Sequence, residues 1–136
     1  MRSVFAIFLL AFSLGLPVFA QDMDHDAVTG TGAVAVNVTD QKVQDGMVVL
    51  AQVVSPGPGW IVLHQDEAGK PGPVLGYAPV KAGANEQVMV SVGEALSGSK
   101  VWAMLHKDAG TLGTYEFPGA DAPVLIQGAL VPFTVQ

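Results

Sequence analysis

Beyond residue 20, apolar and polar positions alternate in short runs broken by glycine and proline, and no run sustains the repeat of a helix. AVAVNV (Ala33–Val38) alternates as a half-buried strand does. MVVLAQVV (Met47–Val54) follows Asp45-Gly46, a hairpin signal, because both residues tolerate the left-handed backbone of a tight turn. SPGPG forces a loop before a third strand, WIVLH (Trp60–His64). PVLGYAPV (Pro73–Val80) is bounded by prolines, which lack the N–H that a central strand must donate, so it reads as an edge strand. EQVMVSV (Glu86–Val92) and VWAMLH (Val101–His106) follow, with GEALSGS between them as one helical turn or a loop. After the long connection DAGTLGTYEFPGADAP the chain closes with VLIQGALVPFTVQ. Seven or so short strands, spaced about 10 to 15 residues apart, predict an all-β fold, an immunoglobulin-like antiparallel β-sandwich.

The first twenty residues follow another rule. Arg2, the apolar run Val4–Leu16 and the ending Val18-Phe19-Ala20 make a cleavable export signal, and the polar QDMDHD after it is not the flank of a membrane span. With no cysteine after the apolar run, no lipid anchor is expected. The sequence therefore divides into a signal peptide at 1–20, a flexible acidic leader at 21–32 and a sandwich domain at 33–136, and the expected location is secreted or periplasmic. The absence of cysteine excludes blue copper, thiolate zinc, iron–sulfur clusters, c-type haem and a cysteine nucleophile. Once Arg2 is removed, five lysines face twelve acidic residues, a net charge of −7, and no arginine remains. Such a chain is unsuited to nucleic acid or anionic lipid.

One phrase occurs twice. WIVLHQDEAG (Trp60–Gly69) and WAMLHKDAG (Trp102–Gly110) share W-x-x-L-H-x-D and then Ala-Gly, and they hold both tryptophans and two of the three histidines. Alternation places Trp60, Val62, His64 and Asp66 on one face of the third strand, and Trp102, Met104, His106 and Asp108 on one face of the sixth. Trp, Val and Met being core residues, both rows are expected to face the core. Two His-x-Asp ends brought together would offer a zinc or type-2 copper set. Strand direction counts against it. The third and sixth strands are antiparallel neighbours in an immunoglobulin-like order, which pairs Trp60 with His106, Val62 with Met104 and His64 with Trp102. The histidines then lie four residues apart, about 13 Å along the sheet, too far for one ion. The expected role of Trp60 and Trp102 is structural, in cross-strand Trp–His pairs, with each histidine held by its neighbouring Asp or by a backbone carbonyl.

The second copy keeps a separate possibility, because His106 and Asp108 precede a loop with Tyr115, Glu116 and Asp121. The alternative for that loop is plain architecture, pinned by Tyr115 and Phe117 with Asp121 capping a turn before Pro123. His25 in DMDHD offers only a weak, flexible ligand. No nucleophile elbow, carboxylate pair, P-loop or dinucleotide fingerprint is present, so no enzyme is expected.

GWIVLH, VLGYAPVKAG, VWAMLHKDAG, YEFPGADAPV and the closing PFTVQ resemble an uncharacterised domain of exported bacterial and archaeal proteins, including haloarchaeal surface proteins. The resemblance spans essentially all of the chain after the signal. It implies an immunoglobulin-type sandwich and an envelope setting, and it implies no reaction.

The expected function is an exported, non-enzymatic module that binds a protein or another envelope component, without a cofactor. The competing expectation is a copper or zinc protein using His106 and Asp108, extended by His64, Asp66 and Glu116. Self-assembly through the VLGYAP edge is a third.

Overall fold

The computed structural model describes residues 34–93 and 96–136. The export signal 1–20, the leader 21–32 with His25, and Ala33 lie outside the described residues, as do Glu94 and Ala95 of the GEALSGS connection. Seven strands follow one another: β1 (Ala35–Asn37), β2 (Met47–Ser55), β3 (Gly59–Glu67), β4 (Lys70–Val80), β5 (Gly83–Ser91), β6 (Ser99–Lys107) and β7 (Leu130–Val135). They form two antiparallel sheets, β1-β2-β5 and β4-β3-β6-β7. The order is immunoglobulin-like, with β3 and β6 as central neighbours and β4 on the outer edge, as the prolines of that strand require. Among the described residues no helix is long and apolar enough to cross a membrane.

Turn chemistry sets the strand ends. Asp45 and Gly46 both have positive φ, at 52° and 73°, and Gln44 and Met47 exchange backbone hydrogen bonds around them. This is a type I′ hairpin turn, whose twist matches that of the flanking strands. A second such turn was not expected: Ala68 and Gly69, at φ 52° and 81°, join Glu67 to Lys70. It carries β3 and β4 beyond the predicted ends at His64 and Pro73. Between β4 and β5 the chain changes sheet, and Asn85 fixes the crossing. Its Oδ1 accepts from Lys81 N, while its Nδ2 donates to the carbonyls of Lys81 and Val53.

The inter-sheet core is built from Val48, Leu50, Val53 and Val90 on one side. Ile61, Leu63, Val101, Ala103, Leu105, Phe133 and Val135 face them from the other. Those from β3 and β6 are the odd-numbered positions of the two strands, and Phe133 and Val135 come from β7. Trp60 and Val62 are equally buried yet belong to no part of that core. The W-x-x-L-H-x-D rows therefore face away from the sandwich, contrary to the sequence expectation. Every residue from Gly59 to His64 is buried, so both faces of this strand are covered and its apolar pattern carries no mark of which face is inside.

What covers the outer face is the long connection between β6 and β7, which we term the strap. It leaves β6 with Asp108 N donating to Pro58 O. It returns along the β6 backbone, where Lys107 N donates to Ala122 O, Val124 N to Leu105 O and Leu105 N to Ala129 O. The closing strand therefore begins at Leu130, and residues 122–129 extend the sheet without forming a regular strand.

Candidate metal centre beneath the strap

The register of β3 on β6 is the one that the repeated phrase predicts, with Trp60 opposite His106, Val62 opposite Met104 and His64 opposite Trp102. The inference drawn from it fails for the side chains. The imidazoles of His64 and His106 lie with ring centroids 5.7 Å apart and planes 20° from parallel. Four residues separate them along the strands, but side-chain direction brings the rings together, which a count of backbone rise ignores. Phe117 of the strap stands edge-on to both, 4.6 Å from the His106 ring and 6.1 Å from the His64 ring.

Both rings are held from behind. Nδ1 of His64 is 2.8 Å from Gly72 O, on β4, and Nδ1 of His106 is 2.8 Å from Asp121 O, in the strap. A carbonyl oxygen only accepts, so Nδ1 carries a hydrogen in both rings, and in the neutral imidazole that tautomer leaves the lone pair on Nε2. Each Nε2 is buried and has no hydrogen-bond partner. A histidine tied through one nitrogen to a backbone carbonyl, with the other nitrogen free, is the arrangement that metal-ligating histidines adopt. Burial, ahead of the proximity of His64, keeps the His106 imidazole below its ordinary pKa despite the opposing hydrogen bond to Asp121, which favours the neutral, ligand-competent form.

The strap is anchored by aromatic rings and one carboxylate. Tyr115 stacks on Tyr77 at 3.9 Å, and Trp60 meets both edge-on at 5.6 Å. Desolvation, reinforced by Tyr77 and Asp121, raises the Tyr115 phenol to about 12. Asp121 is fully buried, and its oxygens accept from Ala109 N at 2.8 Å and Glu116 N at 2.6 Å. Tyr115 and Phe117 pin this loop and Asp121 caps it, as the sequence predicts for plain architecture. The sequence does not reveal that Asp121 also presents the carbonyl that orients His106.

The other candidate ligands are occupied elsewhere. Asp66 accepts from Trp102 Nε1 at 2.7 Å and from Gly69 N at 3.2 Å, and lies 3.8 Å from Lys100 Nζ. The Trp102 bond, ahead of the remaining contacts, holds its carboxyl below the usual value. Asp108 accepts from Gly113 N, and Glu116 from Thr111 N, both at 2.8 Å. These carboxylates close turns. Among the described residues no group of three or more His, Asp or Glu converges. The side chain that stands beside His106 is therefore His64 and not Asp108, Asp66 or Glu116, although four residues of strand separate the two histidines.

Five buried side-chain polar atoms lack partners among the described residues: Trp60 Nε1, His64 Nε2, His106 Nε2, Asp108 Oδ1 and Tyr115 Oη. All belong to the strap or to the sheet face turned toward it. Each such atom costs about 1–3 kcal/mol when left unsatisfied, and all five lie in this one layer.

No curated protein and no solved structure matches the chain. A family match covers residues 34–136, from just before β1 to the C-terminus, and so takes in both sheets, the histidine pair and the strap. The chain belongs to the family described as Domain of unknown function (DUF7282).

Proposed function

We propose that this protein is an exported, non-catalytic metal-binding module, its ion held between Nε2 of His64 and Nε2 of His106 beneath the strap. One observation carries the reading: two neighbouring buried imidazoles, each tied through Nδ1 to a carbonyl, each with an unpartnered Nε2. The spacing agrees with it. A metal–nitrogen bond of about 2.0–2.1 Å plus a ring radius of about 1.15 Å puts each centroid about 3.2 Å from a shared ion. Centroids 5.7 Å apart lie within the span of about 6.4 Å that two such ligands on one ion can reach. No nucleophile or general base enters the reading, because the carboxylates nearby are engaged by backbone N–H groups.

The test is native mass spectrometry of the untagged protein with copper and zinc, beside His64→Ala and His106→Ala. One stoichiometric ion, lost in each variant while the circular dichroism of the sheets persists, supports the site. Binding that survives in both variants, or that requires only the DMDHD segment, refutes it.

A second reading, contact with an envelope protein, is supported by the exposure of Leu125 (92%) and Leu112 (69%) at the strap surface. Self-assembly through the Val74–Pro79 edge of β4 would instead appear as concentration-dependent sedimentation.

A further inference from the structure

The chemistry around the histidine pair constrains which ion it takes. We infer that the site selects Cu(I) over zinc and Cu(II), with the thioether of Met104 as its third ligand; this rests on the histidine-pair reading above.

Charge is the first argument. Each ring gives its Nδ1–H to a carbonyl, so the atom it can offer an ion is Nε2, which brings no negative charge. The nearby carboxylates are engaged: Asp121 and Glu116 by backbone amides, Asp108 through one oxygen by Gly113 N, Asp66 by Trp102. Of these carboxylates only Asp108 leaves a buried oxygen, Oδ1, without a partner, so an ion in this layer meets at most one negatively charged oxygen beside the two nitrogens. His64 and His106 are 4% and 0% exposed, under the ring of Phe117, so the ion also gives up most of its water. The electrostatic cost of that transfer grows with the square of the charge, which makes a divalent ion about four times as expensive as a monovalent one.

Coordination number points the same way. Zinc in proteins is almost always four-coordinate, and its nitrogen and oxygen ligands come as groups of three or four. The described residues provide no such group. Cu(I), with a filled d shell, is content with two or three ligands and favours soft donors.

Met104 is placed to be the third ligand. It sits on β6 two residues before His106 and so on the same face, and its partner across the ladder is Val62, two residues before His64. Met104 is therefore adjacent to one histidine along its strand and diagonal to the other across the sheet, a separation that a long flexible thioether spans. It is half-buried, whereas Met89 on the opposite sheet is 55% exposed. The twin phrase differs at this position, with Val62 where the second copy has Met104, so the two halves of the repeat supply two nitrogens and a single sulfur.

The experiment is an anaerobic titration of the untagged protein with Cu(I) against the chromophoric chelator bicinchoninate, alongside zinc and Cu(II) titrations. X-ray absorption of the loaded protein accompanies it, and wild type, Met104→Leu and His64→Phe/His106→Phe are compared. The double variant keeps aromatic rings in the layer, and it keeps DMDHD, Met47 and Met89, so any binding to those shows there. The expected result is one Cu(I) per chain, with one sulfur and two nitrogen neighbours. Met104→Leu should lose the sulfur and weaken binding by about tenfold or more, and the double variant should bind none. Zinc or Cu(II) bound more tightly than Cu(I), and lost in the double variant, overturns the ion assignment while the histidine pair stands. Cu(I) without a sulfur neighbour, and unchanged by Met104→Leu, overturns the role of Met104. No ion in any form, or equal binding by the double variant, overturns both readings.

Discussion

Asp121→Ala tests the claim that one carboxylate holds the strap over the sheet. The side chain is fully buried, and its two oxygens accept the amides of Ala109 and Glu116 at 2.8 and 2.6 Å, one on each limb of the strap. A hydrogen bond to a charged acceptor contributes about 1.5–3 kcal/mol when removed singly, and an abandoned amide costs more where water cannot reach it. Both amides are only partly buried, so the lower end of that range applies to each, and the substitution should cost about 3–4 kcal/mol. That is a large fraction of the total for a domain of this size. The loss has two ways to appear. If the strap and the sandwich unfold together, the midpoint of urea unfolding at pH 7 falls with an unchanged slope. If the strap opens alone, the global midpoint moves little, while the amides of Ala109 and Glu116 exchange about a hundredfold faster or more and those of β3 and β6 stay protected. Hydrogen exchange and urea unfolding of the same variant separate the two. A variant within about 0.5 kcal/mol of wild type by urea, with unaltered exchange at Ala109 and Glu116, would refute the account of the strap.

Further outcomes follow from the same layer. The Tyr115 phenol is raised to about 12 in the folded chain, against about 10 when unfolded. Its proton therefore leaves the unfolded state first, and stability should fall as pH rises from 10 to about 12; Tyr115→Phe should flatten that part of the pH profile. Trp102→Phe removes the hydrogen bond that most lowers Asp66, so the Asp66 carboxyl, followed by carbon NMR, should titrate closer to its ordinary value. Gly59→Ala places a methyl group 2.5 Å from the His106 carbonyl oxygen, a backbone atom that cannot turn aside. It should destabilise the domain by about 1–3 kcal/mol in thermal unfolding, and a neutral result would show that β3 and β6 are less closely apposed at that end.

Much of the architecture follows from local pattern. Glycine–proline punctuation and alternation account for seven strands, and prolines 71, 73 and 79 put β4 on an edge because they remove ladder donors. The register of β3 on β6 follows from the twin phrase, since antiparallel neighbours with matched ends leave one pairing. The histidines, too, stand out in the sequence through their repetition. The faces of β3 do not. Alternation distinguishes inside from outside only when one face meets water, and here the odd positions fill the sandwich while Trp60, Val62 and His64 are buried under the strap. Nor does the sequence disclose that the imidazoles converge. Their separation depends on side-chain direction and on Phe117 against both rings, which are matters of packing. Asp66, Asp108 and Glu116 looked like ligands beside histidine because adjacency in sequence suggests adjacency in space. In the fold their oxygens meet amides and an indole that the turns bring closer. What the chain determines by itself is the set of strands and their order of pairing, because these rest on short-range backbone preferences. Which buried nitrogens are left facing one another was decided only by the tertiary structure, through a non-periodic strap whose path depends on closing contacts at Asp121 and Tyr115.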